Sequence, residues 1–434
     1  MKASVMFMSN EVASAVDLSL SEYQSRASAS NQFKGTEEGL NQLLYGFFGE
    51  VGGILAAIKK SKRDLGPAEQ ANVTEELGDA LWYLTTVSVE CKHSLNEVGT
   101  TALKELQRRL EVENTRPTGN LTFAEFDGLI AFCHSKLSPD ERTATLYALG
   151  AHCGQLMAKS CAEDLASPSS INLLGELLAD IVLICGQFKL QFARIAEENL
   201  EKAESRWPQV GTAYQPLFDE GYSELEQFPR TFTMRFIELY GADGTPYVIQ
   251  QLKGVNIGDR LTDNRTEPDG YRFHDVFHLA YIAHLGWSPV IRGLLKLKRK
   301  SNPQVDRDED GARAMIIEEG IATWIFNHAF RHKYFTDTPP GKLEYGVLKQ
   351  VREMVKGYEV YKCPLWQWEK AILEGFNVFR ELCQTGGGDV TVDINNHTIT
   401  FSAVNEEEKP KPVVLPKKKV VVGAVLPPMS KEEV

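Results

Sequence analysis

"FFGEVGGILAAIKK" (residues 47–60) and "VTEELGDALWYL" (residues 73–84) are two amphipathic stretches that carry carboxylates where a helix would normally face its core. Glu50 lies among Phe47, Phe48, Val51, Ile54 and Leu55, and Glu76 and Asp79 lie among Leu77, Leu81, Trp82 and Leu84. Unpaired carboxylates in such surroundings are costly to bury, so they are exposed at an edge, paired with a base, or holding a cation. Residues three apart on a helix share a face, so Glu76 and Asp79 can reach one ion and an antiparallel neighbour can add Glu50. Hard carboxylate oxygens suit Mg²⁺, with Mn²⁺ as a substitute, and Glu75 and Glu76 are the candidate acids for handling the proton of an attacking water. The competing reading is a solvated helix edge with capping acids.

Composition limits what this motif can mean. A chain of 434 residues, 43% hydrophobic and 24% charged, has the makeup of a soluble globular protein of about two to four domains. A formal charge of −12 argues against general nucleic-acid binding. The seven cysteines, at 91, 133, 153, 161, 185, 363 and 383, form no CxxC pair and read as reduced thiols. The start "MKASVMFMSNEV" lacks a continuous apolar run, and no stretch approaches the roughly twenty uninterrupted apolar residues of a membrane span. The expectation is a cytoplasmic protein without a membrane partner.

Helical periodicity dominates. "TEEGLNQLLYGFFGEVGGILAAIKKSK" has a Thr36 cap, an acidic first turn and a lysine-rich end, and "GPAEQANVTEELGDALWYLTTVSVECK" starts near Pro67. Further helices are expected near 97–112, 122–135, 139–161, 171–189 and 191–205, with Pro208 as a stop. Within this half, "LYGFFGEVGGILAA" from Leu44 aligns with "LYALGAHCGQLMAK" from Leu146, and "EELGDALWYL" from Glu75 with "ELLADIVLIC" from Glu176. Two copies of one antiparallel helical unit, packed as a pseudo-dimer, would bury a face that neither buries alone. The expected organisation is copy 1 over 18–120, copy 2 over 121–208, a linker over 209–230, a second domain over 231–404 and a disordered Pro/Lys/Glu-rich tail over 405–434. The expected fold class is mainly α: a tandem helical bundle, then a mostly helical domain with a short C-terminal β-hairpin around Asn395-Asn396.

"GEVGG" followed by "EELGDALWYL", with "EENLEKAESRWP" closing the half, resembles the MazG family of all-α nucleoside triphosphate pyrophosphohydrolases. The resemblance covers residues 18–120 and, more faintly, 140–208, and none after 230. It implies that an ExxE motif and an ExxD motif on successive helices hold Mg²⁺ and cleave an NTP or dNTP to the monophosphate and pyrophosphate. The chain departs from that pattern at Glu50-Val-Gly-Gly53, where the second acid is missing. A homo-oligomer is compatible with such a bundle.

In copy 2, His152 stands where Glu50 was, Gln155 where Gly53 was and Leu177 where Glu76 was, and Asp180 is retained. That half is not expected to hold a metal by itself. Its closing helix carries Asn199, Lys202 and Arg206, aligned with Ala102, Glu105 and Arg109. Asn and Lys there can hold a phosphate or sugar, which suggests a divided site: metal ligands from copy 1, substrate contacts from copy 2, with Trp82 as a candidate for stacking on a base.

"GYRFHDVFHLAYIAHLGW" places His274 and His278 one helical turn apart, with Asp275 between them and His284 beyond. "GARAMIIEEGIATWIFNHAFRH" adds Glu318 and Glu319, then His328 and His332. Paired histidines plus a distant glutamate suit Zn²⁺, Fe²⁺ or Mn²⁺, so His274, Asp275, His278, Glu318 and Glu319 form a second candidate metal site. The H-x3-H-x5-H count resembles the metzincin spacing, but Asp275 replaces the catalytic Glu and Tyr281 the turning Gly. HD-type phosphohydrolases are also echoed, without an upstream His. The other reading is a buried His–carboxylate network joining two helices. "RGLLKLKRKSNPQ" gathers Arg292, Lys296, Lys298, Arg299 and Lys300 into a patch able to meet phosphates, or into a solvated helix end. Two functions remain open: an Mg²⁺-dependent nucleotide pyrophosphohydrolase, or a nucleotide-binding, dimerising module that regulates a metal-dependent hydrolase domain.

Overall fold

Short polar side chains fix where the first helices begin. Ser19 Oγ accepts from Glu22 N at 3.1 Å, while Ser94 with Glu97 and Ser138 with Glu141 form reciprocal capping boxes. The computed structural model describes residues 18–64, 68–112, 119–136, 138–159, 167 and 169–404, and it divides between Thr212 and Ala213 into two units. The segments carrying Pro67 and the 405–434 tail lie outside the described residues.

The first unit is helical: α1 (Leu20–Ser30), α2 (Glu37–Asp64), α3 (Ala68–Glu90), α4 (Leu95–Leu110), α5 (Phe123–Lys136), α6 (Pro139–Ala158), α7 (Ser170–Gln187) and α8 (Phe192–Arg206). Gly39 N donates to Thr36 Oγ1 at 2.9 Å, the cap expected at the start of α2. Helices α2 and α3 pack together, as do α6 and α7; α4 then lies on α7, and α8 on α3. Asp127 of α5 caps the start of α8, accepting from Phe192 N at 2.6 Å and Ala193 N at 3.1 Å. By length and composition α7 could cross a membrane. Instead its residues from Leu173 to Gly186, Glu176 excepted, are buried in the core of this unit.

The second unit is built on a five-stranded antiparallel sheet, in the order β3-β2-β1-β4-β5: β1 (Thr231–Tyr240), β2 (Pro246–Leu252), β3 (Val255–Leu261), β4 (Gly387–Asp393) and β5 (Thr398–Ser402). The expected hairpin is present as β4–β5, its turn held by Asn396 N donating to Asp393 Oδ1 at 3.0 Å. It is two-fifths of a larger sheet, because β1 alternates Phe232, Met234 and Phe236 inward and Lys253-Gly254, both at positive φ, turn β2 onto β3. Between β3 and β4 come α9 (Asp275–Leu285), α10 (Pro289–Leu295), α11 (Pro303–Asp308), α12 (Ala312–Arg331), α13 (Tyr345–Met354) and α14 (Leu365–Thr385). Helix α9 is buried along its whole length, between α14, α12 and the β4–β5 end of the sheet. The chain as a whole is thus mainly helical, with one small antiparallel sheet.

Candidate functional sites

In the first unit four carboxyl groups, Glu50 from α2 and Glu75, Glu76 and Asp79 from α3, gather around Lys202 of α8. Lys202 Nζ lies 3.0 Å from Glu75 Oε1 and 2.5 Å from Asp79 Oδ2. Asn199 Nδ2 donates to Asp79 Oδ1 at 3.0 Å, and Asn199 Oδ1 accepts from Tyr23 OH at 2.9 Å. The missing acid has a steric counterpart: a Cβ at Gly53 would fall 2.0 Å from Glu76 Oε2, so the Glu76 carboxylate occupies the space a side chain at 53 would need. Burial, together with Asp79 and a hydrogen bond to Glu76, pushes the Glu50 carboxyl up to about 8. Burial also raises Asp79, with Glu75 and Glu76 adding to it and Lys202 only partly opposing.

Asp79, Glu75, Asn199 and Lys202 line one side of a cleft of about 700 Å³ between α3 and α8, with Lys189, Gln191 and Arg194 among its other walls. Two sequence expectations change here. Trp82 is 7% exposed and its Nε1 donates to the buried Ser30 hydroxyl at 2.9 Å, so its ring is core and is closed to a base. Asn199 is buried and spent on holding Asp79 between Tyr23 and the acid cluster, so it positions a carboxylate rather than a sugar. Arg206 packs on the Trp207 ring, 4.5 Å from its centroid.

The corresponding acid of the other hairpin, Asp180, is buried and both its oxygens are taken. Arg109 Nη1 lies 2.6 Å from Oδ1, and His152 Nδ1 lies 2.7 Å from Oδ2. The two acids are served reciprocally: α8 reaches Asp79, and α4 reaches Asp180. The bases sit one turn apart on the two closing helices, since Lys202 aligns with Glu105 and Arg109 with Arg206.

The second unit brings His274, Asp275, His278 and Glu319 together. His274 Nε2 is 3.1 Å from Asp275 Oδ1 and 3.8 Å from Glu319 Oε2, and His278 Nε2 is 3.5 Å from Glu319 Oε2. Glu318 stands behind this group: its Oε1 meets His278 Nδ1 at 2.8 Å, and its Oε2 accepts from Val290 N at 2.8 Å. Burial opposes a charge on His278, but Glu318 and Glu319 outweigh it and hold the imidazole well above its ordinary pKa. His284 turns away to Glu374 Oε2 at 2.8 Å, so the three-histidine metzincin arrangement does not form. His328, His332 and Glu344 form a separate group. Among the described residues, His274–Asp275–His278 and His328–His332–Glu344 are the sets of three or more His, Cys, Asp or Glu whose ligand atoms all lie within 4.8 Å of one another; Glu319 stands beside the first set and outside it, and Glu50, Glu76 and Asp79 are not such a set.

Sequence reasoning missed Gln250 of β2, whose Nε2 donates to Asp275 Oδ2 at 2.5 Å, because β2 itself was not foreseen. The basic patch loses its two arginines: Arg292 is buried against Asp219 at 2.9 Å, and Arg299 against Asp310 at 2.7 Å and Glu359 at 2.6 Å, while Lys296 and Lys300 stay exposed. These arginines are consumed by internal carboxylates and are closed to phosphates.

The second unit is thus an α+β domain centred on a buried His–carboxylate cluster. Residues 213–405 match the family model of the MazG C-terminal domain. The match falls on the half for which the sequence offered no relative, and not on residues 18–208, where the resemblance was seen. No curated protein and no solved structure matches the chain.

Proposed function

We propose that the first unit is a tandem MazG-like bundle that hydrolyses a nucleoside or deoxynucleoside triphosphate to the monophosphate and pyrophosphate. The observation that carries this reading is the convergence of Glu50 from α2 with Glu75, Glu76 and Asp79 from α3, Glu50 being hydrogen-bonded to Glu76 while Glu75 and Asp79 meet Lys202 at the cleft. The all-oxygen donor set of Glu50 and Glu76, with Asp79 alongside, fits a hard divalent cation such as Mg²⁺ or Mn²⁺. When bound, such a cation neutralises the phosphates and acidifies a water.

The chain's own residues do the rest. Glu75, on the cleft wall, is placed to accept a proton from water, and Lys202 spans Glu75 and Asp79 beside the cleft. Lys189 and Arg194 line the same cleft and offer donors to phosphate oxygens. Asn199 and Tyr23 keep Asp79 oriented. Lys202 also favours a second reading. Its ammonium already lies against Asp79, where a cation would be drawn, which suits a module that binds nucleotide without cleaving it and regulates the second unit.

One assay separates the two: the full-length protein with the common NTPs and dNTPs and Mg²⁺, measuring pyrophosphate and orthophosphate for wild type and Glu76→Gln. Pyrophosphate that is lost in the variant supports hydrolysis at this cluster. Nucleotide binding without pyrophosphate supports the regulatory module, and neither binding nor pyrophosphate refutes both readings.

A further inference from the structure

We propose that His274, Asp275 and His278 bind one divalent transition-metal ion, with the half-exposed Glu319 as a fourth, outer carboxylate, at a site separate from the acid cluster of the first unit. The geometry is that of ligands facing a common point. Zinc bonds of about 2.0–2.1 Å arranged tetrahedrally place neighbouring donor atoms roughly 3.3 Å apart. His274 Nε2 and Asp275 Oδ1, 3.1 Å apart, are near that spacing, the donor atoms of His274, Asp275 and His278 all lie within 4.8 Å of one another, and Glu319 Oε2 is 3.5 Å from His278 Nε2 and 3.8 Å from His274 Nε2. His278 Nε2 is fully buried and has no partner in good hydrogen-bond geometry; its neighbour is the Glu319 carboxylate, whose Oε2 lies at a long 3.5 Å. A buried polar atom without a partner is costly, and a metal bond would satisfy it.

Each ligand is held from behind so that its inward atom is left for the ion. His274 Nδ1 lies 2.9 Å from the Tyr271 carbonyl, with the Tyr271 ring stacked on the imidazole at 4.3 Å, which leaves Nε2 as the coordinating nitrogen. His278 Nδ1 faces Glu318 at 2.8 Å, again leaving Nε2. Gln250 holds Asp275 Oδ2, and Oδ1 faces inward. Such outer hydrogen bonds to metal-binding imidazoles and carboxylates fix the tautomer and the ring orientation.

Two imidazoles among four donors select Zn²⁺, Fe²⁺ or Mn²⁺ over Mg²⁺ and Ca²⁺, which take oxygen ligands. Glu319 is 43% exposed, so the ion's solvent side is the one this carboxylate covers. The ion would tie the start of α9 to the middle of α12.

The test uses the full-length protein stripped of metal with a chelator and titrated with Co²⁺, followed by visible d–d absorption. With excess Mg²⁺ present to fill oxygen-ligand sites, the expected result is intense bands of a low-coordinate site that saturate at one Co²⁺ per chain and are displaced by Zn²⁺. Glu319→Gln, a half-exposed position whose replacement leaves the core packed, and Gln250→Leu should each weaken Co²⁺ binding by roughly 10–100-fold. Glu344→Gln, in the separate His328–His332 group, and Glu50→Gln, in the first unit, should leave it unchanged. Absence of bands in wild type overturns the proposal. So does an affinity insensitive to Glu319→Gln and Gln250→Leu, or one that follows Glu344→Gln instead. Because the readout is metal binding in the second unit, its outcome is independent of whether the first unit releases pyrophosphate.

Discussion

Replacing Glu50 by glutamine should make the stability of the first unit independent of pH where the wild type loses stability. The Glu50 carboxyl is raised from 4.5 to about 8 by burial, by Asp79 and by its hydrogen bond to Glu76. An acid whose pKa is higher in the folded than in the unfolded chain binds its proton more tightly when folded. Its contribution is therefore intact below about 4.5 and is lost progressively as the pH rises to about 8. The full displacement corresponds to about 5 kcal/mol, and solvent at this half-buried carboxyl, with proton sharing in the Glu50–Glu76 pair, reduces that to about 2 kcal/mol. Glutamine mimics the protonated acid at every pH. In urea unfolding followed by circular dichroism, wild type and Glu50→Gln should coincide at pH 5, and the variant should be more stable by about 2 kcal/mol at pH 9. Added Mg²⁺ should close the gap at pH 9 by stabilising the wild type alone. Parallel profiles from pH 5 to 9 would refute the assignment of a retained proton to the buried Glu50 carboxyl.

Gly53→Ala should lower pyrophosphate release by roughly a hundredfold while costing less than about 1 kcal/mol of stability, because the new Cβ displaces only the mobile end of Glu76; full activity would show that Glu76 need not stay where it is. Arg109→Met should destabilise the chain by about 3 kcal/mol by leaving Asp180 buried with His152 alone, and Asp180→Asn in the same background should restore most of the loss, as read from urea midpoints. Trp82→Phe should cost about 1 kcal/mol through the lost Ser30 hydrogen bond and leave the substrate KM unchanged, which steady-state kinetics would check.

How much of this was legible in the sequence depends on the range of the interaction. Helix α2 follows from Thr36 and a three-to-four apolar stripe, because capping and amphipathicity act within one turn, whereas the Ser94–Glu97 and Ser138–Glu141 boxes that open α4 and α6 were not named. The pairs Glu76/Asp79 and His274/His278 were visible for the same reason: helical spacing alone puts their side chains on one face. The hairpin around Asn395-Asn396 was readable from its turn, whereas β1 to β3 were not named, although Phe232, Met234 and Phe236 alternate and Lys253-Gly254 marks a turn.

Which charges meet is another matter, since partners distant in sequence are set by packing. Lys202 is 127 residues from Glu75, Arg109 is 71 from Asp180, and His278 is 40 from Glu318. Only the folded bundle shows that α8 delivers Lys202 to Asp79 while α4 delivers Arg109 to Asp180. Only the folded second unit shows that Glu318 supports His278 from behind while Glu319 faces inward, a distinction of one position that places two adjacent acids on different sides of the same helix. The sequence by itself determined most helices of the first half, the Thr36 cap and the acids and histidines that share a face. Tertiary structure decided which of those groups are neutralised internally and which are left short of a partner, because burial and opposing charge come from other segments of the chain.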